Sequence, residues 1–130
     1  MPVEALMVLA SLALWFIQVV ILAVPGVLKN GVMAAFGSRD NFAAPIGPLV
    51  GRAERSKANL LENLVLFIPI ALLVLALDAS NATTALGAQV FVIARVVHML
   101  CYLAGVPFVR SLAWIASLVG VGMMIAGLLG

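Results

Sequence analysis

The sequence predicts an all-α integral membrane protein, a four-transmembrane-helix up-down bundle. Composition is the first reason: of 130 residues, 65% are hydrophobic and only 9% charged, against ~25% charged in soluble domains. Segment length is the second. Val3–Leu28, Arg52–Leu77, Thr84–Leu103 and Pro107–Leu129 each reach the ~20 apolar residues that a hydrocarbon core of ~30 Å requires. Third, the connections between the last three segments are short, which favours antiparallel neighbours. A single domain over residues 1–130 accounts for the chain, without repeats or low-complexity tracts.

The first segment carries Glu4 and no Lys or Arg before its apolar run, so it is expected to remain as a span rather than act as a cleaved leader. Pro25-Gly26 is expected to end or kink it. Gly31–Gly51 reads as a loop, with turn residues at Gly37-Ser38-Arg39-Asp40-Asn41 and at Pro45 and Pro48. The second span opens on the basic and amide-rich stretch Arg52–Asn63. Asn81-Ala-Thr-Thr84 supplies capping oxygens for the third span, and Pro107 suits the first turn of the fourth. Gly120-Val-Gly122 and Gly127 follow no strand, so they read as close helix packing, with Ala113, Ala116 and Ser117, rather than as a nucleotide loop.

Lys29, Arg39, Arg52, Arg55 and Lys57 all lie in or beside the first loop. The positive-inside rule then places the first and third loops in the cytoplasm of a bacterium or of a cell whose endoplasmic reticulum holds the protein. The formal net charge of +2 arises from these loops and gives no basis for a nucleic-acid partner, which needs an exposed basic face. No metal site is expected, because a lone Cys101 and a lone His98 do not make a Cys/His set. Cys101 falls ~240° around its helix from Arg95 and is expected to be a small buried hydrophobe.

At ~100° per residue, Arg52, Arg55, Asn59, Glu62 and Asn63 share an arc of roughly 100° on the second span, and Arg95, His98 and Tyr102 share ~60° on the third. Counting ~1.5 Å per residue from the non-cytoplasmic ends puts Glu62 and His98 level at ~21–22 Å, Asn59 and Tyr102 level at ~27 Å, and Arg95 at ~16 Å. With Arg110 at the mouth, the expected arrangement is a polar cavity open to the cytoplasm, lined by three Arg, one His, one Glu, two Asn and one Tyr. An alternative is that these groups satisfy each other as glue between helices, Glu62 with an arginine and His98 with Asn59. Charge weighs against it: Arg52, Arg55, Arg95 and Arg110 face one carboxylate, Glu62, with Asp40 the only other nearby acid not on the far face of the second helix. Excess guanidinium calls for an anionic ligand bearing carboxylates or phosphates, and one retained acid suits a ligand that also carries an ammonium group.

Arg55-Ser-Lys-Ala-Asn59-Leu-Leu-Glu62 resembles the Arg-x-x-x-Asn-x-x-Glu motif in the second helix of the MAPEG family, membrane-associated proteins in eicosanoid and glutathione metabolism. Arg95-Val-Val-His98-Met-Leu-Cys-Tyr102, followed by Arg110-Ser111, is similar to the third-helix region of the family's prostaglandin-synthase branch, with Tyr102 and Arg110 one residue closer together here. The resemblance implies a homotrimer that binds glutathione at subunit interfaces near the cytoplasmic side. It implies that Arg52, Arg55, Asn59, Glu62, Arg95, His98 and Tyr102 hold the tripeptide, and that Arg110, with Ser111 and Tyr102, serves the thiol. Asp40 is a looser match to an acidic first-loop residue.

Three functions are compatible with these residues. The first is a glutathione transferase or peroxidase acting on a hydrophobic small-molecule substrate drawn from membrane lipid. A second is a non-catalytic lipid-binding or scaffold member of the family, against which the retention of Glu62, Arg95 and Arg110 counts. The third is a small four-span transporter, which needs a carboxylate well inside the first span where this chain offers only Gln18.

Overall fold

The computed structural model describes residues 1–38, 40, 43 and 47–130. Arg39, Asn41 and Pro45, which the first-loop reading used, lie outside the described residues. The elements are α1 (Val3–Asn30), α2 (Val32–Phe36), α3 (Pro48–Ala76), α4 (Ala82–Ala104) and α5 (Pro107–Leu129). Four of these, all but α2, are long and apolar enough to cross a membrane. The four alternate in direction, so α1 and α4 run the same way.

The helix ends follow from local chemistry, with two departures from expectation. Helix α1 does not end at Pro25, one of the two outcomes expected there, but continues to Gly31, whose φ of 89° is open to glycine and strained for other residues. Proline removes one intrahelical hydrogen bond without ending a helix that hydrocarbon gives no alternative to. Helix α3 starts at Pro48, before the expected Arg52, because Pro48 occupies a first-turn position whose missing N–H is not needed. It ends in a Schellman arrangement in which Ala79 N donates to Val74 O and Asp78 N to Leu75 O, with Asp78 at φ 50°. Asn81 and Thr84 form the expected capping box on α4. Gly105 at φ 75° closes α4, and Pro107 opens α5 within the next turn.

At the α3–α4 turn, a carboxylate is buried. Glu4, with no exposed surface, accepts hydrogen bonds from Ser80 Oγ at 2.8 Å and from Thr84 Oγ1, so the start of α1 is fixed to the start of α4. Farther in, Leu14, Leu60, Leu64, Phe67, Phe91, Val121 and Met124 form the apolar core. Phe67 and Phe91 stack with centroids 4.1 Å apart and planes 5° from parallel.

Helices α4 and α5 are the most closely packed pair. A Cβ on Gly120 would stand 2.6 Å from Gly87 O and 2.8 Å from Phe91 N, and one on Gly127 would stand 2.7 Å from Thr84 Cγ2. Gly122 meets nothing within 4 Å, so the packing role read for that trio belongs to Gly120 and Gly127. Gly120→Ala should therefore force the backbones apart and lower stability by ~1–3 kcal/mol. Gly122→Ala should be neutral or stabilising by up to ~1 kcal/mol through helix propensity. Unfolding of both variants in mild detergent checks the contrast.

Candidate functional site

The turn between α4 and α5 brings the end of one polar stripe beside the start of α5. Here lies a cleft of about 190 Å³ lined by Asn59, His98, Tyr102, Arg110, Ser111 and Trp114. Three helices build it. Asn59 comes from α3, His98 and Tyr102 come from successive turns of α4, and Arg110, Ser111 and Trp114 share one face of α5 at spacings of one, three and four residues.

A buried guanidinium organises its inner wall. Arg95 is 1% exposed, and its Nη2 donates to Asn59 Oδ1 at 2.8 Å and lies 3.3 Å from His98 Nδ1. Because arginine only donates, His98 Nδ1 accepts in this contact and the proton of the neutral ring resides on Nε2. Asn59 is held in turn by Asn63, whose Nδ2 donates to Asn59 O at 2.8 Å and to Asn59 Oδ1 at 3.4 Å. The reach of the arginine side chain makes up the expected difference in depth between Arg95 and Asn59.

The outer wall is aromatic and cationic. Arg110 Cζ stands 4.7 Å from the centroid of the Tyr102 ring and Arg55 Cζ 5.9 Å from it, within cation–π range. The rings of His98 and Tyr102 are 5.5 Å apart and tilted by 58°. Ser111 Oγ donates to Pro107 O at 3.1 Å, so its proton is directed back along its own helix rather than into the cleft.

Not every expected residue converges. Glu62 is exposed and lies outside the cleft, and among the described residues neither it nor Arg95 forms an ion pair. The geometric cause is that the core face of α3, set by Ser56, Leu60, Asn63, Leu64, Phe67, Ala71 and Val74, does not coincide with its polar stripe. At ~100° per residue Asn59 falls on the rim of that face, and Glu62 ~150° from its centre. Arg55 is likewise exposed on the outer flank. Arg52 packs on the α4–α5 turn instead of the cleft, its Cζ 3.0 Å from where a Gly105 Cβ would stand. The single cavity read from the sequence is thus an inner Arg95–Asn59–His98 group, a cleft, and an outer flank carrying Arg55 and Glu62. Asp40 is exposed in the first loop, and Cys101 is half-buried rather than buried.

Trp114 was not anticipated. Its spacing from Arg110 and Ser111 was the available signal, but a tryptophan in an apolar span reads as ordinary lipid-facing bulk. Glu4, Ser80 and Thr84 were also unanticipated as a group, since residues 76 and 80 positions apart meet only through the fold.

No curated protein and no solved structure matches the chain. The MAPEG family model matches residues 5–130. That match covers all four membrane-length helices and every residue that lines the cleft, and the chain belongs to the MAPEG family of integral, multi-pass membrane proteins.

Proposed function

We propose that the protein is a glutathione-dependent transferase or peroxidase that acts on lipophilic electrophiles, assembled as a homotrimer with its clefts toward the cytoplasm. The carrying observation is the cleft itself, where a guanidinium, an imidazole, a phenol and an amide converge around about 190 Å³ at the end of an apolar bundle. The residues fit glutathione by charge: arginines for two carboxylates, Glu62 for the ammonium group, and Asn59 for an amide. The size of the cleft supports assembly, because a small-molecule site is ordinarily ~300–1,000 Å³ and one chain offers less. Exposed Arg55 and Glu62 lie on the flank where a second copy would complete the site, and an unpaired carboxylate against lipid costs at least ~2.5 kcal/mol.

Glutathione supplies a nucleophilic sulfur. Arg110 acts on it electrostatically: a cation beside a thiol of pKa ~8.5 favours the charged form and raises the ionised fraction at neutral pH. Tyr102, with its ring under the Arg110 guanidinium, fixes the direction in which that cation points. His98 lines the cleft while its Nδ1 accepts from Arg95, and Ser111 holds the first turn of α5 through its bond to Pro107 O. On the other side of the α4–α5 pair, an apolar groove of about 380 Å³ includes Val97, Val109, Leu112 and Ala113. At ~100° per residue these α5 positions fall ~150° around the helix from Arg110, Ser111 and Trp114, so the groove can hold a hydrophobic molecule from the lipid but does not adjoin the cleft of its own chain. A scaffold role requires neither a cation at the mouth of the cleft nor an aligned imidazole.

Detergent-purified protein should be stabilised by glutathione and should conjugate it to an aryl halide; absence of both effects would sink the proposal. Glu62→Gln should not lower thermal stability in the absence of glutathione, because it removes a charge and keeps the shape, and should weaken glutathione binding by at least ~30-fold, the cost of removing one partner of a desolvated charge pair. Normal binding by that variant would remove Glu62 from recognition.

Arg110→Ala should bind glutathione almost as well as the parent and lose ~25-fold in turnover at pH 7 from the smaller ionised fraction alone, for a thiol pKa returning from ~6.5 to ~8.5. Its rate should rise about tenfold per pH unit until the unperturbed thiol titrates, whereas the parent should already be level. Thiolate absorbance followed against pH in both proteins reads this directly, and superimposable titrations would take Arg110 out of the chemistry.

A further inference from the structure

Arg95 has a second side that the cleft does not use. Its Nη2 faces Asn59 and His98, but its Nε and Nη1 are buried with no partner among the described residues, and Arg95 does not line the cleft. On α1, Trp15 Nε1 and both amide atoms of Gln18 are also buried without partners among the described residues, and Gln18 is 5% exposed.

Register brings these orphan groups to one level. The starts of α1 and α4, which run in the same direction, are fixed together by the Thr84 hydroxyl donating to the Glu4 carboxylate. Eleven residues on from that pair stand Trp15 and Arg95, and fourteen on stand Gln18 and His98. Those steps are close to three and four turns of ~3.6 residues, so all four side chains keep to the facing stripes. The buried residues of α1, Glu4, Ser11, Leu14, Gln18 and Gly26, mark one such stripe, and Thr84, Phe91, Arg95 and His98 belong to the other. The guanidinium already extends from the level of Trp15 to that of Gln18, because its Nη2 sits 3.3 Å from His98 Nδ1.

We propose that a single monovalent anion of halide size is bound inside the bundle between α1 and α4, by Arg95 Nε and Nη1, Trp15 Nε1 and Gln18 Nε2. The donor balance calls for it. Four nitrogen groups donate there and Gln18 Oε1 is the one orphan acceptor among them, so turning the Gln18 amide toward Arg95 leaves donors over. A water molecule accepts two hydrogen bonds and leaves the guanidinium charge unbalanced in a low-dielectric interior, where an uncompensated ion is strongly penalised. An anion meets both needs, and because each of these atoms is buried, a small ion suits them better than a carboxylate or phosphate, whose carrier would need an opening. Ser56 Oγ is also unpartnered, but a serine hydroxyl re-pairs by rotating onto a carbonyl one turn back in its own helix and is not needed here. The site stands apart from the cleft and does not depend on the glutathione reading.

The test is thermal unfolding of the full chain in an uncharged detergent, with gluconate replaced by chloride or bromide at constant ionic strength and without glutathione. Expected is a saturable rise in midpoint with either halide and none with sulfate. In the double variant Trp15→Phe/Gln18→Leu, which is apolar and keeps Arg95, half-saturation should need at least about tenfold more halide, the effect of losing hydrogen bonds to a charged group. Lys57→Gln, which removes a surface cation, should titrate like the parent. Equal midpoints in gluconate and chloride would overturn the site, as would a rise that sulfate reproduces or one that the double variant retains unchanged.

Discussion

A guanidinium in the middle of a membrane-length helix is the constraint around which the rest of the bundle is arranged. Arg95 does not snorkel to an interface, as arginines near helix ends do; it is 1% exposed and commits its Nη2 to Asn59 Oδ1. That bond ties α4 to α3, and it requires Asn59 to be fixed, which Asn63 does from one turn away. It also sets the acceptor role of His98 Nδ1. The polar wall of the cleft is in this sense a consequence of how one buried cation is satisfied, and the apolar core of Phe67, Phe91 and Leu60 beside it keeps water from competing.

Two contacts remote from the cleft hold that arrangement in register. The Glu4–Ser80–Thr84 group fixes where α1 starts relative to α4. The Gly87–Gly120 crossing sets how near α5 lies to α4, because a single added carbon would meet backbone at 2.6 Å. Close approach there, followed by the left-handed turn at Gly105 and a proline at the first position of α5, determines where Arg110, Ser111 and Trp114 stand against Tyr102. Sequence sets the turn chemistry, packing converts it into direction, and direction gives the cleft its cation.

Helix identity and approximate extent were legible in the chain because hydrocarbon permits few alternatives for a run of twenty apolar residues. The third-span stripe was legible for a related reason: Arg95, His98 and Tyr102 at spacings of three and four must share a face whatever surrounds them. The second-span stripe is less legible. Periodicity located Arg55, Asn59, Glu62 and Asn63 relative to one another, but not the direction of the bundle axis. In an apolar helix nearly every other residue is hydrophobic on both the core and the lipid sides, so hydrophobic pattern gives no bearing. Asn63 turned inward and Glu62 outward although they are adjacent in sequence.

What the sequence by itself determined is therefore the membrane class, the four long helices, the capping at Asn81 and Thr84, the family motifs and the excess of arginine over carboxylate along the two polar stripes and the start of the fourth span. These depend on composition and on spacing within one helix, which are local quantities. Tertiary structure alone decided that Arg95 pairs with Asn59, that Glu4 is buried against Thr84, that Trp114 lines the cleft and that Glu62 does not. Each of those depends on the rotation of one helix about its axis relative to another, and that angle is fixed by side-chain packing between segments that no local pattern relates.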